Sequence, residues 1–239
     1  MQKNVEKVSI NYSPNFDLKK RPNYKVKYLI FHYTGMKSEA AAIKRLTSFN
    51  SKVSCHYFIK INGEILRIVP DSYIAWHAGT SSWKNDNFLN SSSIGIEISN
   101  PGHDYNYKNF NTKQIKSIIS LSKKLKKKYR IKKENILGHS DIAPLRKKDP
   151  GEKFPWKLLA KNNLCLWHNV NFNDCKKLRK KKLHNYKNFD YLLFRFGYTF
   201  TKNSSEKVKI YKNFQRRFRP ELISSVIDKE CYAILKSLI

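Results

Sequence analysis

The sequence predicts an α/β fold, with a mixed central β-sheet flanked by helices and a small C-terminal three-helix domain. Short apolar segments bounded by turn residues alternate with segments of helical period up to about residue 160. A polar loop from Ser72 to Ser93 is long enough to suggest a functional site. Past Asn162 the pattern changes, which places a domain boundary near residue 165, between domains of residues 1–164 and 165–239.

The predicted strands are short and apolar. Asn62-Gly63 lies between two of them and is typical of a type I′ hairpin turn, because both residues tolerate positive φ angles. The buried strand over residues 94–99 contains one carboxylate, Glu97, and His32 and His139 close the first and the last strand. We expect strands over residues 26–31, 56–61, 64–69, 94–99 and 136–139.

The predicted helices are marked by caps and amphipathic spacing. Ser38 caps the first helix, with acidic Glu39 in its first turn, and Thr112 opens a long amphipathic helix. A basic linker over about residues 165–185, irregular in pattern, precedes the C-terminal helices. Those short helices are expected around residues 189–196, 208–218 and 229–238.

The composition is strongly basic, with 48 Lys+Arg against 18 Asp+Glu and a net charge of +30. A basic chain can bind polyanions, but drift toward A/T-rich codons produces the same Lys-, Asn- and Ile-rich composition. The lysines are spread along the chain, and no nucleic-acid-binding motif is present. We therefore predict no nucleic-acid partner.

Other classes are excluded by hydropathy and aromatic content. The mean hydropathy of −0.64 and the lack of a long apolar run exclude a membrane span, and 13% aromatic residues argue against disorder. Met1–Lys7 leads into no apolar signal region, so a cytoplasmic location is predicted, with the periplasm or cell envelope as the alternative. The cysteines, which form no CxxC pair, are expected to be reduced thiols: Cys55, Cys165, Cys175 and Cys231.

Two histidines and one aspartate form a candidate metal site. His32 and His139 lie at strand ends, and prolines at positions 144 and 150 shape a loop that can return Asp149 toward His139. Three such ligands leave the fourth position of a tetrahedral zinc ion open for water, as in hydrolytic sites. The residues alone leave alternatives open, because a strand-end histidine can be structural and Asp149 before a proline can begin a turn.

Five segments, in order and spacing, resemble the zinc-dependent N-acetylmuramoyl-L-alanine amidases of the amidase-2 family. Together they cover about residues 12–160. The segments are Phe31-His32-Tyr33-Thr34-Gly35, Ser54-Cys55-His56-Tyr57, Ala75-Trp76-His77-Ala78-Gly79, Ser93-Ile94-Gly95-Ile96-Glu97, and Gly138-His139-Ser140-Asp141-Ile142-Ala143-Pro144 with the following Arg146-Lys147-Lys148-Asp149-Pro150-Gly151.

The resemblance implies hydrolysis of the amide between N-acetylmuramic acid and L-alanine in peptidoglycan or muropeptides. His32, His139 and Asp149 then become the ligands of Zn²⁺. Glu97 matches the catalytic acid, with a salt-bridged buried glutamate as the alternative, and Lys147 matches the lysine that stabilises the oxyanion. A non-catalytic peptidoglycan-recognition protein on the same fold is the alternative function, but such proteins typically lose a ligand. We expect a monomer.

The resemblance also suggests residues that line the substrate groove. Trp76 and His77 lie in the long loop, and Trp83 either stacks on a sugar or packs in the core. Arg67 is a further candidate, whereas His56 is expected to be structural.

The C-terminal segment resembles a small peptidoglycan-binding module. The resemblance rests on residues 214–220, 227–228 and 233–238, with residues 194–198 as the upstream turn, but the usual glycine before Asp228 is absent. The alternative is a helical appendage that only packs on the catalytic domain.

Overall fold

The computed structural model describes residues 8–239 and confirms the α/β fold with a mixed central sheet. The strands are β1 (Val8–Ile10), β2 (Phe16–Asp17), β3 (Tyr28–Tyr33), β4 (Tyr57–Ile59), β5 (Ile65–Arg67), β6 (Ile74–Ala75), β7 (Ser82–Trp83), β8 (Asp86–Asn87), β9 (Ser93–Ile98) and β10 (Ile136–Gly138). The main sheet has six strands in the order β1-β5-β4-β9-β3-β10. Only β4 and β5 pair antiparallel in it.

Helices cover both faces of this sheet. They are α1 (Glu39–Thr47), α2 (Thr112–Tyr129), α3 (His139–Ile142), α4 (Trp156–Lys161), α5 (Phe172–Arg179), α6 (Tyr186–Phe196), α7 (Ser204–Phe218) and α8 (Lys229–Leu238). The Ser38 side chain accepts from the Ala41 N–H as predicted, and Asn111 with Gln114 forms a capping box before α2. Within residues 8–239, no helix combines the length and hydrophobicity that a membrane crossing requires. Met1–Lys7, part of the basis for the predicted location, lie outside the described residues.

The side chains of β9 alternate between the two faces of the sheet, so that one face packs in the core and the other carries the candidate site residues. Ile94, Ile96 and Ile98 point into the cluster that α2 covers, and all three are fully buried. Ser93, Gly95 and Glu97 therefore face the other side of the sheet. That side carries both the apolar contact with the C-terminal helices and the polar residues described below.

The Asn62-Gly63 hairpin is present, but its turn is not the predicted type I′. The Gly63 N–H donates to the Lys60 carbonyl at 3.0 Å, and the Lys60 N–H donates to the Glu64 carbonyl at 2.9 Å. Gly63 has a φ of 85°, whereas Asn62 does not have a positive φ. A longer turn that ends in one left-handed glycine joins the strands, so only glycine needs the unusual conformation.

The segment predicted as an irregular basic linker contains a helix, α5. Asn171 caps it by accepting from the Asn173 N–H at 2.8 Å, and Cys175 is its one buried residue. Arg179 then pairs with Glu230 at 2.6 Å, which joins α5 to α8. A helix with so little apolar periodicity is fixed by these tertiary contacts, which explains why the sequence pattern did not reveal it.

Candidate active site

His32, His139 and Asp149 meet where β3 and β10 end side by side. Gly138 pairs with Phe31 in the register of these parallel strands, so the residues that follow, His139 and His32, are neighbours. The two Nδ1 atoms lie 2.9 Å apart, and each is 3.1 Å from Asp149 Oδ2. All three side chains are buried.

A chain of hydrogen bonds fixes the tautomer of His32. Ser93 donates its hydroxyl proton to the Leu89 carbonyl at 2.6 Å, so its oxygen must accept from His77 Nε2–H at 3.2 Å. His77 Nδ1 then has a lone pair, which accepts from His32 Nε2–H at 3.1 Å. His32 Nδ1 is left as an acceptor.

The tautomer of His139 is fixed independently and in the same sense. Its Nε2 lies 3.1 Å from the Ala78 carbonyl, which can only accept, and 3.3 Å from Arg146 Nη2, which can only donate. Because the two Nη2 hydrogens of Arg146 are donated to the Ala78 and Thr80 carbonyls, the proton between His139 and Ala78 belongs to Nε2. His139 Nδ1 is therefore a second acceptor that faces His32 Nδ1.

Three acceptors thus converge with no proton between them, which suits a bound cation. Zinc bonds of about 2.0–2.1 Å would place tetrahedral ligand atoms about 3.3–3.4 Å apart, close to the distances observed among these three atoms. Two neutral imidazoles and a carboxylate form a donor set typical of zinc, and the residues fit it.

The electrostatics of His32 agree with a ligand role. Burial lowers the pKa of His32 to about 4, with repulsion from His139 as the next cause, so the imidazole is neutral. A neutral imidazole is the protonation state that metal ligation requires of His32.

Gly95 provides the space that His77 occupies. A Cβ atom at position 95 would lie 2.4 Å from His77 Cγ, so no larger residue fits without displacing the ring. The resemblance suggested that His77 lines the substrate groove. The structure places it at the base of the cavity, buried, with both ring nitrogens in hydrogen bonds to His32 and Ser93.

Glu97 lies beside the three candidate metal ligands, His32, His139 and Asp149. It is paired with His32 in the β3–β9 register, so both side chains leave the sheet on the same face. Its Oε2 atom is buried and has no hydrogen-bond partner within residues 8–239. Burial, followed by the negative charge of Asp149, raises the pKa of Glu97 well above its ordinary value. A carboxylate in this state is suited to accept and return a proton.

A cavity of about 480 Å³ opens over these residues. Lys147 and Lys148 line it from the loop after α3, and Arg45 lines it from α1. Arg45 and Asp104 were missed in the sequence analysis. Arg45 is in an amphipathic helix whose pattern shows only its buried side, so no sequence signal distinguished it from the surrounding basic residues.

The structure separates the proposed substrate-binding residues. Trp76 lines the cavity, and its Nε1–H donates to Asp17 Oδ1 at 2.7 Å, which fixes the indole plane. Trp83 is 1% exposed and packs edge-on against Tyr198, so it occupies the core, the alternative that the sequence left open. Arg67 lies outside the cavity lining, with its guanidinium over the Tyr57 ring at 5.8 Å.

His56 has a different environment from the histidines of the site. Its Nδ1 accepts from the Gly95 N–H at 3.0 Å, and its Nε2 faces the Tyr73 carbonyl at 3.2 Å. Burial lowers its pKa to about 3, and the nearby Arg21 guanidinium adds to this. His56 is therefore a neutral, structural histidine that connects the backbone at Gly95 with the backbone at Tyr73, and it is not one of the candidate metal ligands.

An α/β fold with His32, His139 and Asp149 grouped beside Glu97 is the arrangement expected of a metal-dependent hydrolase. Residues 22–152 match the Amidase_2 family, N-acetylmuramoyl-L-alanine amidase. The chain belongs to this family, and the resemblance noted in the sequence is confirmed. The matched region contains all five residues assigned to metal binding and catalysis: His32, Glu97, His139, Lys147 and Asp149.

Two curated relatives differ in how much of this chain they match. N-acetylmuramoyl-L-alanine amidase AmiD of Escherichia coli (strain K12) is 34% identical over 232 residues, covering 90% of this chain and 83% of AmiD. 1,6-anhydro-N-acetylmuramyl-L-alanine amidase AmpD of Haemophilus influenzae is 33% identical over 164 residues, covering 61% of this chain and 86% of AmpD.

Solved structures of similar amidases cover nearly the whole chain. E. coli AmiD in complex with the substrate anhydro-N-acetylmuramic acid-L-Ala-D-γ-Glu-L-Lys has a TM-score of 0.81 at 32% identity, covering 93% of this chain and 91% of AmiD. AmpDh3 of Pseudomonas aeruginosa has a TM-score of 0.82 at 29% identity, covering 100% of this chain and 96% of that chain. The similarity therefore includes the C-terminal helices.

Proposed function

We propose that this amidase hydrolyses the bond between the lactyl carbonyl of N-acetylmuramic acid and the nitrogen of L-alanine in muropeptides, with zinc held by His32, His139 and Asp149. The molecules named in the AmiD and AmpDh3 complexes, an anhydro-N-acetylmuramic acid peptide described as the substrate and an anhydromuramic pentapeptide, support the same substrate class for this chain. The cavity of about 480 Å³ is of the size that small-molecule sites have.

The observation that carries this proposal is the convergence of three acceptor atoms next to an unpartnered carboxylate oxygen. Two imidazole nitrogens and Asp149 Oδ2 face one another at 2.9–3.1 Å. Glu97 Oε2 is buried on the same side of the sheet. A cation and a polar ligand would stabilise such an arrangement, because burial has removed the hydration of these groups.

Each residue has a distinct part in the reaction. His32, His139 and Asp149 would hold the zinc, which would supply a Lewis acid that polarises the amide carbonyl and lowers the pKa of the attacking water. Glu97 accepts the proton of the attacking water and then delivers it to the alanine nitrogen as the C–N bond breaks. The Lys147 ammonium, which lines the same cavity, donates to the oxyanion of the tetrahedral intermediate.

Metal analysis with a matched pair of histidine variants tests the assignment. We expect about one zinc per chain, lost together with muropeptide hydrolysis in His139→Ala. His184→Ala is the control, because His184 is exposed and not in this site. Equal zinc content in wild type and His139→Ala would show that the metal is bound elsewhere.

The alternative, a recognition protein without catalysis, makes a different prediction for the wild type. Zinc-loaded protein would then bind an anhydromuropeptide and release neither the peptide nor the sugar, which chromatography of the mixture detects. The filled positions of Glu97 and Lys147 favour the enzyme.

Three properties of the intact protein stay predictions. Cell fractionation tests the predicted cytoplasmic location against the envelope alternative, and the two locations imply recycled muropeptides or intact wall as substrate. Sedimentation with insoluble peptidoglycan tests wall binding by the helices of residues 165–239. Size-exclusion chromatography tests the expected monomer.

A further inference from the structure

The C-terminal helix α7 contacts the loop that carries two of the site residues. Asn213 is 2% exposed, and its side-chain amide donates to the Pro144 carbonyl at 2.8 Å and to the Lys147 carbonyl at 3.0 Å. One side chain thus holds both ends of the turn between residues 144 and 147.

The amide orientation of Asn213 is fixed from the other side. Its Oδ1 accepts from Arg216, one turn further along α7. Arg216 also pairs with Glu152 at 3.1 Å, and Glu152 Oε2 lies 3.0 Å from His103 Nε2. Both amide hydrogens of Asn213 therefore point to the loop, and the helix is joined to the loop at a second position.

The loop itself has little internal support for the position of Lys147. The Arg146 and Lys147 N–H groups both donate to the Ala143 carbonyl, at 3.2 and 3.0 Å, which closes a short turn. Prolines before and after this segment prevent a continuous helix from holding it. Because the Lys147 carbonyl turns away from the cavity toward Asn213, the contact leaves the ammonium free on the cavity side.

We propose that Asn213 is a positioning residue for Lys147, and that α7 is therefore part of the scaffold of the active site. By holding the two carbonyls, Asn213 fixes where the Lys147 side chain leaves the backbone, and so where its ammonium meets the developing oxyanion. This inference rests on the role of Lys147 in the proposed function. It assigns the C-terminal helices a task beyond wall binding.

Asn213→Asp in the full-length, zinc-loaded enzyme tests this proposal with minimal change in shape. The carboxylate keeps an acceptor for Arg216 but loses both donors and places an oxygen against two carbonyls. We expect kcat to fall about 100-fold, as for a catalytic group displaced by about 1 Å, with KM and zinc content near wild type. Lys212→Ala, an exposed change on the same helix, should leave kcat unchanged.

A double variant separates positioning from a general structural effect. If Asn213 acts through Lys147, then Asn213→Asp should lower kcat little further in a Lys147→Ala background. An additive loss in the double variant, or a near-normal kcat in Asn213→Asp alone, would overturn the proposal.

Hydrogen exchange on the wild type covers the case in which Asn213→Asp does not fold. The Arg146 and Lys147 amides should exchange through the same opening as the central amides of α7, with the same dependence on low denaturant. If the Arg146 and Lys147 amides exchange at a lower denaturant concentration than the central amides of α7, Asn213 does not hold the loop and the proposal is overturned. Because this readout requires no turnover, it remains decisive even if the proposed amidase reaction fails.

Discussion

Two buried aspartates, Asp141 in α3 and Asp149 in the loop that follows α3, have opposite surroundings. Asp141 accepts from the Gly138 N–H at 2.7 Å, from the Tyr198 hydroxyl at 2.6 Å and from Arg217, so both its oxygens are paired with donors. Asp149 Oδ2 instead faces two imidazole nitrogens that have lone pairs.

The comparison shows how a carboxylate proposed as a metal ligand differs from a structural one when both are buried. Asp141 is neutralised by Arg217 and surrounded by donors, which is how folded proteins accommodate a buried charge. Asp149 shares its space with other acceptors, an arrangement that needs a ligand from outside the chain. Glu97, with an unpartnered buried Oε2, belongs to the second kind.

Glu97→Gln gives the largest effect that this comparison predicts. The amide is nearly the same size but cannot carry the proton from water to the leaving nitrogen, so turnover should fall about 100- to 10,000-fold. Zinc content and thermal stability should stay near wild type, because Glu97 is not a ligand in the proposed site. Near-normal turnover with zinc retained would show that another group moves the proton.

Arg217→Met tests the structural aspartate. It leaves Asp141 buried without its cation, so the free energy of unfolding should fall by about 3–5 kcal/mol, as for other broken buried pairs. Asp141→Asn in the same chain should recover part of this loss, because the unpaired charge is removed. Denaturant titration measures both, and a stability loss below about 1 kcal/mol in Arg217→Met would mean that Asp141 is not neutralised by Arg217.

Lys147→Ala should lower kcat and kcat/KM equally, by about 100- to 1,000-fold, if the ammonium contributes what a typical oxyanion donor does. Lys148→Ala is the matched control, since Lys148 lines the same cavity and is exposed. Steady-state kinetics on an anhydromuropeptide distinguish the roles. A change in KM alone would assign Lys147 to substrate binding.

Much of the sheet was predictable from local pattern, but the supporting contacts of the site were not. The apolar runs around His32 and His139 revealed two strand ends, and a parallel register then brings the histidines together. The hydrogen bonds from His32 to His77 and from His77 to Ser93 join residues that are distant in the sequence, so the periodicity of the sequence does not indicate them. Trp83 illustrates the same limit, because its burial depends on Tyr198 far along the chain.

Ser93→Ala should have the smallest of the expected effects, and it tests whether the hydrogen bonds behind His32 favour metal binding. Removing the hydroxyl leaves His77 Nε2–H without its acceptor, so His77 no longer has to present a lone pair to His32. The His32 tautomer with a lone pair on Nδ1 is then no longer favoured over the other tautomer. Zinc affinity should therefore fall about 10- to 100-fold, as for other residues that orient metal ligands. Turnover at saturating zinc should stay close to wild type.

The control for this loss is Ser122→Ala, which also deletes a buried hydroxyl. Ser122 Oγ has no hydrogen-bond partner in the described part of the chain, so its removal disturbs packing to a similar extent without touching the histidines. Competition with a zinc chelator measures both affinities. If Ser93→Ala and Ser122→Ala bind zinc equally well, the hydrogen-bond chain does not select the tautomer, and the distance between the two Nδ1 atoms alone must account for the site.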